Sequence, residues 1–405
     1  MNKQSWKNWS GSVQANPDRV AFPASKDELK ALVIEANQAG KSIRLAGSGH
    51  SFVPLCASDD VIVSLDKLQG VVRIDQDKQQ ATVWGGSKIY QLGEPLLEGG
   101  LGMANMGDID QQTIAGAIST GTHGTGPSLG SISTQVQALR LITADGEVLE
   151  ISANHQSIPL NAARVSLGAL GIISQVTLKL LPAYRLHERT WVESFEECFE
   201  KLDDHIAATR HFEFFWSPKE DGCACKSLNP SNLEVLPEPA EAEQVGGRLS
   251  RYMNEERLDF SHRIFPSVRN LLFNEMEFAV PAELGPDCLL AIRQLMQTKH
   301  PDVLWPIEYR TLAADEIWLS PAYGRDTVTL SIHQAAELPY KAFFADAEAI
   351  FREFDGRPHW GKMHNFTAAE LSRSYPRWDA FQELRQKIDP HGRFMNAYLK
   401  TIFEG

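Results

Sequence analysis

Apolar positions recur along the chain with two periods. Leu29, Leu32, Val33 and Ala36 repeat at helical spacing behind Ser25 and Glu28, whose three-residue separation is that of a capping box, and Gly40 closes the run; the pattern predicts a helix. It feeds a short apolar strand ending at Ala46. Val61 to Leu65 and Val71 to Ile74 predict strands, and the polar run Asp75 to Gln79 turns the second into Ala81 to Trp84 as a hairpin. Gln135 to Thr143 and Glu147 to Ile151 flank Asp145-Gly146, a second hairpin. From Leu167-Gly168-Ala169-Leu170-Gly171-Ile172-Ile173 the chain enters a strand ending at Pro182.

Beyond Pro182 the pattern changes, which places a domain boundary there. Residues 183 to about 355 alternate strands (Phe212 to Trp216, Met276 to Val280) with helices (Cys288 to Met296, Lys341 to Phe354). Asn229 to Gly247, rich in Glu, Pro and Ala, predicts a mobile surface loop. Two strands carry polar residues at period two. Glu308 and Arg310 share one side of Ile307-Glu308-Tyr309-Arg310-Thr311-Leu312, and Thr329, Ser331 and His333 share one side of Val328 to His333. That alternation fits a sheet with one face in water, and equally a polar floor beneath a hydroxyl-rich substrate. In the tail, Trp378, Phe381, Leu384 and Ile388 mark a helix. His359 and His364 before it match neither a helix nor a strand face and have no carboxylate placed with them, so no metal centre is expected.

Two stretches break both periods. In Ala46-Gly47-Ser48-Gly49-His50-Ser51-Phe52 a strand runs into a glycine-spaced turn whose amides an anion can approach. A Rossmann turn would need a third glycine where Phe52 stands and a helix where Pro54 interrupts; an ordinary strand-end loop is the other reading. From Gly99 to Gly126, eight glycines alternate with Thr113, Ser119, Thr120, Thr122, His123 and Thr125. Ile109, Ile114, Ala115, Ala117 and Ile118 are too apolar for a solvated linker, so this segment is expected to be an ordered, buried loop whose polar groups meet a large dinucleotide.

Composition narrows the partners. The 405 residues carry Lys+Arg 39 against Asp+Glu 52, a net charge of −13, which disfavours nucleic acid and anionic lipid. No apolar run approaches the roughly 20 residues of a membrane span, and Met1 to Trp6 has no signal-like core, so a cytoplasmic enzyme is expected. The five cysteines form neither a disulfide framework nor a zinc pattern, since Cys223-x-Cys225 has no partner pair.

Taken together, these motifs resemble the vanillyl-alcohol oxidase type of flavoprotein, and within it the aldonolactone and alditol oxidases, nearly end to end. Gly47-Ser48-Gly49-His50-Ser51 resembles the loop in which a histidine is joined to the 8α-methyl of FAD; Gly107-Asp108, Thr113, Ala115-Gly116 and Ser119 to Gly124 resemble a second flavin loop, and Gly171-Ile172 a third contact. Glu308-x-Arg310 and His359-Trp360-Gly361-Lys362 resemble the substrate-side motifs. The resemblance implies an α+β fold: a two-subdomain FAD-binding domain over residues 1–182, a cap with an antiparallel sheet and flanking helices over 183–355, and a segment over 356–405 returning to the first domain. It implies FAD bound by Ala46, Gly47, Ser48, Gly49, His50, Ser51, Gly107, Asp108, Thr113, Gly116, Thr120, Gly121, Thr122, His123, Gly171, Ile172 and His359, with covalent attachment through His50. It further implies oxidation of a sugar lactone or polyol, with Arg310 and Lys362 facing the reacting oxygen, Glu308 orienting Arg310, His333 as a proton acceptor or substrate contact, and Asp108 and Ser331 on substrate hydroxyls. Asp108 departs from the hydroxyl residue that alditol oxidases have there. Gly107, without a Cβ, suggests a methyl-sized gap that admits oxygen to reduced flavin. A dehydrogenase, a flavin reductase of the same fold and a non-catalytic nucleotide-binding module are the alternatives.

Overall fold

The structure, a computed structural model, describes residues 4–154, 158–236, 255–267 and 271–405. The helix Lys26–Gln38 starts where the sequence predicts, but only half of the capping box forms. Ser25 accepts the Glu28 amide, whereas the Glu28 carboxylate accepts the amide of Ala24 rather than of Ser25. The helix buries Leu29, Leu32, Val33 and Ala36 against a parallel sheet of Arg19–Ala21, Val61–Val63 and Ile43–Leu45, with Val61–Val63 in the middle. A five-stranded antiparallel sheet follows, ordered Val148–Ser152, Val136–Ile142, Ile172–Lys179, Gln80–Trp84 and Val71–Asp75. Both predicted hairpins are in it.

The stretch expected as an irregular buried loop contains a helix, Ile114–Thr120. Thr113 accepts the Gly116 amide at its start, and Gly121 at φ 76° ends it. Glycine and β-branched threonine lower helix propensity, which hid it; Ile114, Ala115, Ala117 and Ile118 hold it by burial. The loop expected from Asn229 also begins later, because Asn229 to Ser231 complete the strand Gly222–Ser231 by pairing with Arg185 to His187. Residues 237–247 of that loop lie outside the described residues.

The largest sheet has eight antiparallel strands in the order Glu256–Phe260, Arg185–Ser194, Gly222–Ser231, His211–Ser217, Ile307–Leu312, Thr327–Ala335, Phe273–Pro281 and Arg357–Pro358. Strand alternation and register then sort its side chains by face. Glu213 pairs with both Lys226 and Arg310, Arg310 with Thr329, Ser331 with both Glu308 and Glu277, and His333 with Glu275, so these groups share one face. Cys225, Phe214, Tyr309, Leu330 and Phe278 share the other, which packs into the core with Leu289, Ile292, Phe343 and Phe351 of the helices Gly285–Thr298 and Lys341–Glu353. The polar face is not in water: Glu277, Thr329 and Ser331 are buried. Among the described residues, no helix is long and apolar enough to cross a membrane.

After Arg357–Pro358 the chain runs back to the parallel sheet. Ile43 donates to Arg393 O at 2.8 Å, and Asn396 donates to Pro54 O and Ala57 O at 2.7 Å. Arg44 ties this junction together. Its buried guanidinium donates to Leu55 O (2.8 Å), Leu167 O (2.7 Å), Gly168 O (3.2 Å) and Phe394 O, and burial pulls its pKa down to about 10. Arg44→Met would leave four carbonyls short of a donor, so we expect a loss of about 2–4 kcal/mol, read as a lower denaturant midpoint at unchanged slope. An unchanged midpoint would show that water replaces the guanidinium.

Candidate active site

A cavity of about 700 Å³, part of it open to solvent, is lined by Gly47 to Ser51, Thr113, Gly116, Ser119, Thr120, Leu167 and Gly168. The two glycine-rich stretches therefore meet, at the start of the helix Ile114–Thr120. The amides of Ser48, Gly49, His50 and Ser51 have no partner among the described residues, and a Cβ at Gly47 would overlap the Thr113 hydroxyl. This is a cradle for an anionic, extended ligand, and it fits the pyrophosphate of FAD. Ala46 is buried beside it and donates to Val63 O. Gly171 and Ile172 do not line the cavity: Ile172 packs in the core with Val63 and Phe394, and the wall is formed instead by Leu167, held at φ 54°, and Gly168. Arg44 fixes that turn.

His50 stands at one end of the cradle. Trp9 stacks on its ring at 5.3 Å between centroids and donates its backbone N–H to Gly49 O at 2.8 Å; Asn8 donates to Ser51 O at 3.0 Å. Burial, and then the charges of Lys362 and Lys88, pull its pKa down to about 4, so the imidazole is neutral at physiological pH. The tail motif docks on the same loop. Phe52 donates to Gly361 O at 2.8 Å, and the Lys362 ammonium lies 5.1 Å from the Phe52 ring centroid.

Beneath lies the polar sheet face, organised by a carboxylate that the sequence reading missed. Glu277 accepts from His123 Nε2 at 2.6 Å, from Arg310 at 3.1 Å and from the Ser331 hydroxyl at 2.7 Å. His123 Nδ1 donates to Gly124 O at 2.8 Å, so both ring nitrogens face oxygens. Burial alone would raise the Glu277 pKa; His123 and Arg310 outweigh it and hold the carboxyl well below its usual range. His359 accepts the Gly361 amide at Nδ1, and burial keeps it neutral with a pKa of about 3. Two residues along the strand, Glu275 pairs with Lys362 and lies 3.7 Å from His333 Nε2, while His333 Nδ1 donates to Pro306 O at 2.9 Å. Glu308 pairs with Arg310 at 3.1 Å.

These contacts correct several assignments. Lys362 and Arg310 are each held by a carboxylate, and the Arg310 Nε is buried without a partner among the described residues. The Ser331 hydroxyl is committed to Glu277 rather than free for substrate. Asp108 does not add an uncompensated negative charge: Lys226 reaches it at 3.1 Å and Glu213 at 3.0 Å, and Ser267 donates to it at 3.2 Å. Gly107 does not face a methyl-sized gap, because a Cβ there would lie 3.0 Å from His123 O. Gly121 and Thr122 shape the turn into His123 rather than the cavity wall. His359 joins His123 and Glu277, whereas His364 lies apart with its Nε2 3.2 Å from the Tyr398 hydroxyl. Glu275 and Glu277 were legible as Asn274-Glu275-Met276-Glu277-Phe278, the same alternation that marked Glu308 and Arg310. Lys226, Arg44 and Trp9 had no local signal.

A glycine cradle fused to a buried ionic sheet face defines an FAD-binding protein, and residues 17–152 match the family model of an FAD binding domain. Residues 176–272 and 245–402 match the model described as D-arabinono-1,4-lactone oxidase, and the chain belongs to that family, within the vanillyl-alcohol oxidase type of flavoprotein. It is 37% identical to the L-gulono-1,4-lactone dehydrogenase of Mycobacterium tuberculosis over 98% of each chain. Identity is 30% both to the L-gulonolactone oxidase of Mus musculus, over 98% of each chain, and to the alditol oxidase of a Streptomyces species, over 98% of this chain and 99% of that protein. The solved cholesterol oxidase of B. sterolicum shares the fold at a TM-score of 0.86 and 16% identity, over 99% of this chain and 97% of that one.

The Glu275–Lys362 pair sets an acid limb. Burial opposes ionisation of Glu275, but Lys362 and His333 hold its pKa at about 2, below the unfolded value. Its contribution is therefore complete above the unfolded carboxylate pKa of about 4.3 and is lost as pH falls through the folded value. We expect stability to fall between roughly pH 4.5 and 2, and Glu275→Gln to flatten part of that fall in denaturant titrations at stepped pH. Parallel acid limbs in variant and parent would remove Glu275 from the account.

Proposed function

We propose that the protein is a cytoplasmic oxidoreductase that uses FAD to oxidise a CH–OH group of a sugar lactone or polyol and returns the electrons to oxygen as hydrogen peroxide. The observation that carries the reading is the Arg310 Nε. A buried donor without a partner costs free energy unless a ligand oxygen meets it, and the guanidinium that carries it is held through Nη2 by Glu308 and Glu277 on the sheet face that the His50 loop and the tail motif adjoin. The names of the relatives support the substrate class, and five free cysteines fit a reducing compartment.

Bound FAD supplies a hydride acceptor at its N5 and would be held by Gly47 to Ser51, Thr113, Gly116 and Thr120. The residues of the chain do the rest. Arg310 and Lys362 place positive charge where alkoxide character develops on the substrate oxygen, and Glu308 and Glu277 fix the guanidinium in that orientation. His333, whose Nδ1 proton is committed to Pro306 O, presents Nε2 towards Glu275 and serves as the proton acceptor. Residues 1–182 form the FAD domain and 183–355 the cap in this reading, with 356–405 returning; Pro358 still pairs with Phe278 in the cap sheet before the return begins. The dehydrogenase name of the 37% relative favours a second reading, in which the acceptor is not oxygen.

Covalent attachment through His50 belongs to the same proposal. A neutral imidazole, clamped between Trp9 and the glycine turn, is the form that can attack the 8α-methyl. We expect the flavin colour to stay with acid-precipitated protein and to pass to the supernatant for His50→Ala; free flavin from the parent chain would reject the linkage without touching the fold.

The reaction is tested by mixing the FAD-loaded protein with aldonolactones and alditols without oxygen. The visible flavin band should bleach with at least one of them, and Arg310→Ala should slow bleaching about 10²- to 10³-fold. In air, hydrogen peroxide should form in step with substrate loss. Bleaching without peroxide selects the dehydrogenase reading, and no bleaching by any member of either class rejects the proposal.

A further inference from the structure

On the far face of the cap sheet from Lys226, two cysteine sulfurs and a carboxylate converge. Cys223 and Cys225 alternate with Ala224 on the strand Gly222–Ser231, and Cys198 comes down onto them from the helix Phe195–Glu200. Cys198 Sγ lies 3.7 Å from Cys225 Sγ. Glu193, paired with Cys223 across the adjacent strands, brings a carboxylate oxygen within 4.8 Å of both the Cys198 and Cys225 sulfurs. The cysteines are buried, and Glu193 is nearly so.

We propose that Cys198, Cys225 and Glu193 form a zinc site with a fourth position left for water. Tetrahedral zinc with bonds of about 2.3 Å to sulfur sets neighbouring thiolates about 3.8 Å apart, which is the separation seen, whereas a disulfide would need about 2.0 Å. Two soft thiolates select zinc over magnesium or calcium. The carboxylate is oriented as a ligand carboxylate is: Trp191 Nε1 donates to Glu193 Oε1 at 2.5 Å, and His205 Nε2 lies 3.3 Å from Oε2. Zinc binding forms the metal–sulfur bonds, releases the two thiol protons to solvent and changes no oxidation state. The partly exposed edge by His205 and Glu193 is the entry path. The metal pins the helix Phe195–Glu200 to the strand whose next residue, Lys226, faces Asp108. The site uses none of the residues of the proposed flavin chemistry, so it stands or falls separately.

Full-length, FAD-loaded protein from zinc-supplemented culture should carry about one zinc per chain by atomic spectrometry. Cys198→Ala and Cys225→Ala should lose it, and Cys288→Ala should keep it. Because a cysteine variant can fail to fold, the parent chain is also exchanged with cobalt, which should give the visible bands of a tetrahedral thiolate site to the red of the flavin absorption. Zinc-free parent protein without cobalt bands overturns the site, as does zinc retained by Cys198→Ala. Recovery of a Cys198–Cys225 disulfide on non-reducing peptide mapping overturns it too.

Discussion

The structure depends on a single buried carboxylate, Glu277. Bringing an ionised carboxyl into the interior is costly unless its oxygens are met by donors with positive charge, and here one oxygen meets His123 while the other meets Arg310 and Ser331. The donors come from different parts of the chain: His123 follows the second glycine-rich stretch, and Arg310 and Ser331 stand on neighbouring strands of the eight-stranded sheet. His359, whose backbone N–H donates to Glu277 O at 3.0 Å, adds the tail. Removing any donor leaves charge that nothing else can reach, so the glycine-rich module and the sheet are locked in one relative position. The same argument holds along the face for Glu275 with Lys362 and for Asp108 with Lys226. Substrate chemistry and domain docking draw on the same ionic array.

The cradle above is built differently, from backbone. Its free amides can face a ligand only because others hold the loop: Trp9 and Asn8 from the N-terminal segment, Gly361 from the tail, and Arg44 from below. Arg44 satisfies its donors on four carbonyls from three separate segments. A rigid frame thus surrounds a loop whose own hydrogen bonds are left open, as a pre-organised anion site requires.

What could be read from the sequence was what repeats locally. Helix 26–38 and the strands around Phe214, Glu308 and Ser331 follow from period alone, because burial of one face dictates it. Glu308-x-Arg310 and His50 were legible since an ionic or aromatic residue in a patterned or glycine-bound position stands out. The helix Ile114–Thr120 was hidden by residues of poor helix propensity, stabilised only by their tertiary surroundings. Partner choice was invisible for a more general reason. Nothing near Asp108 in sequence announces Lys226, 118 positions away, and nothing near His123 announces Glu277, 154 positions away. Those pairings come from sheet register and domain docking, and they engage Asp108 and Ser331 with partners that no local pattern signals.

The claim that the flavin loop and the cap sheet act as one unit through Glu277 is tested most directly by a double-mutant cycle. His123→Ala, Glu277→Gln and the double variant are compared with the parent in the rate of anaerobic flavin reduction by substrate. The account predicts strong non-additivity, with a coupling of about 1–3 kcal/mol, because either single change already strands its partner. Additive losses would show that the two residues act independently and contradict it.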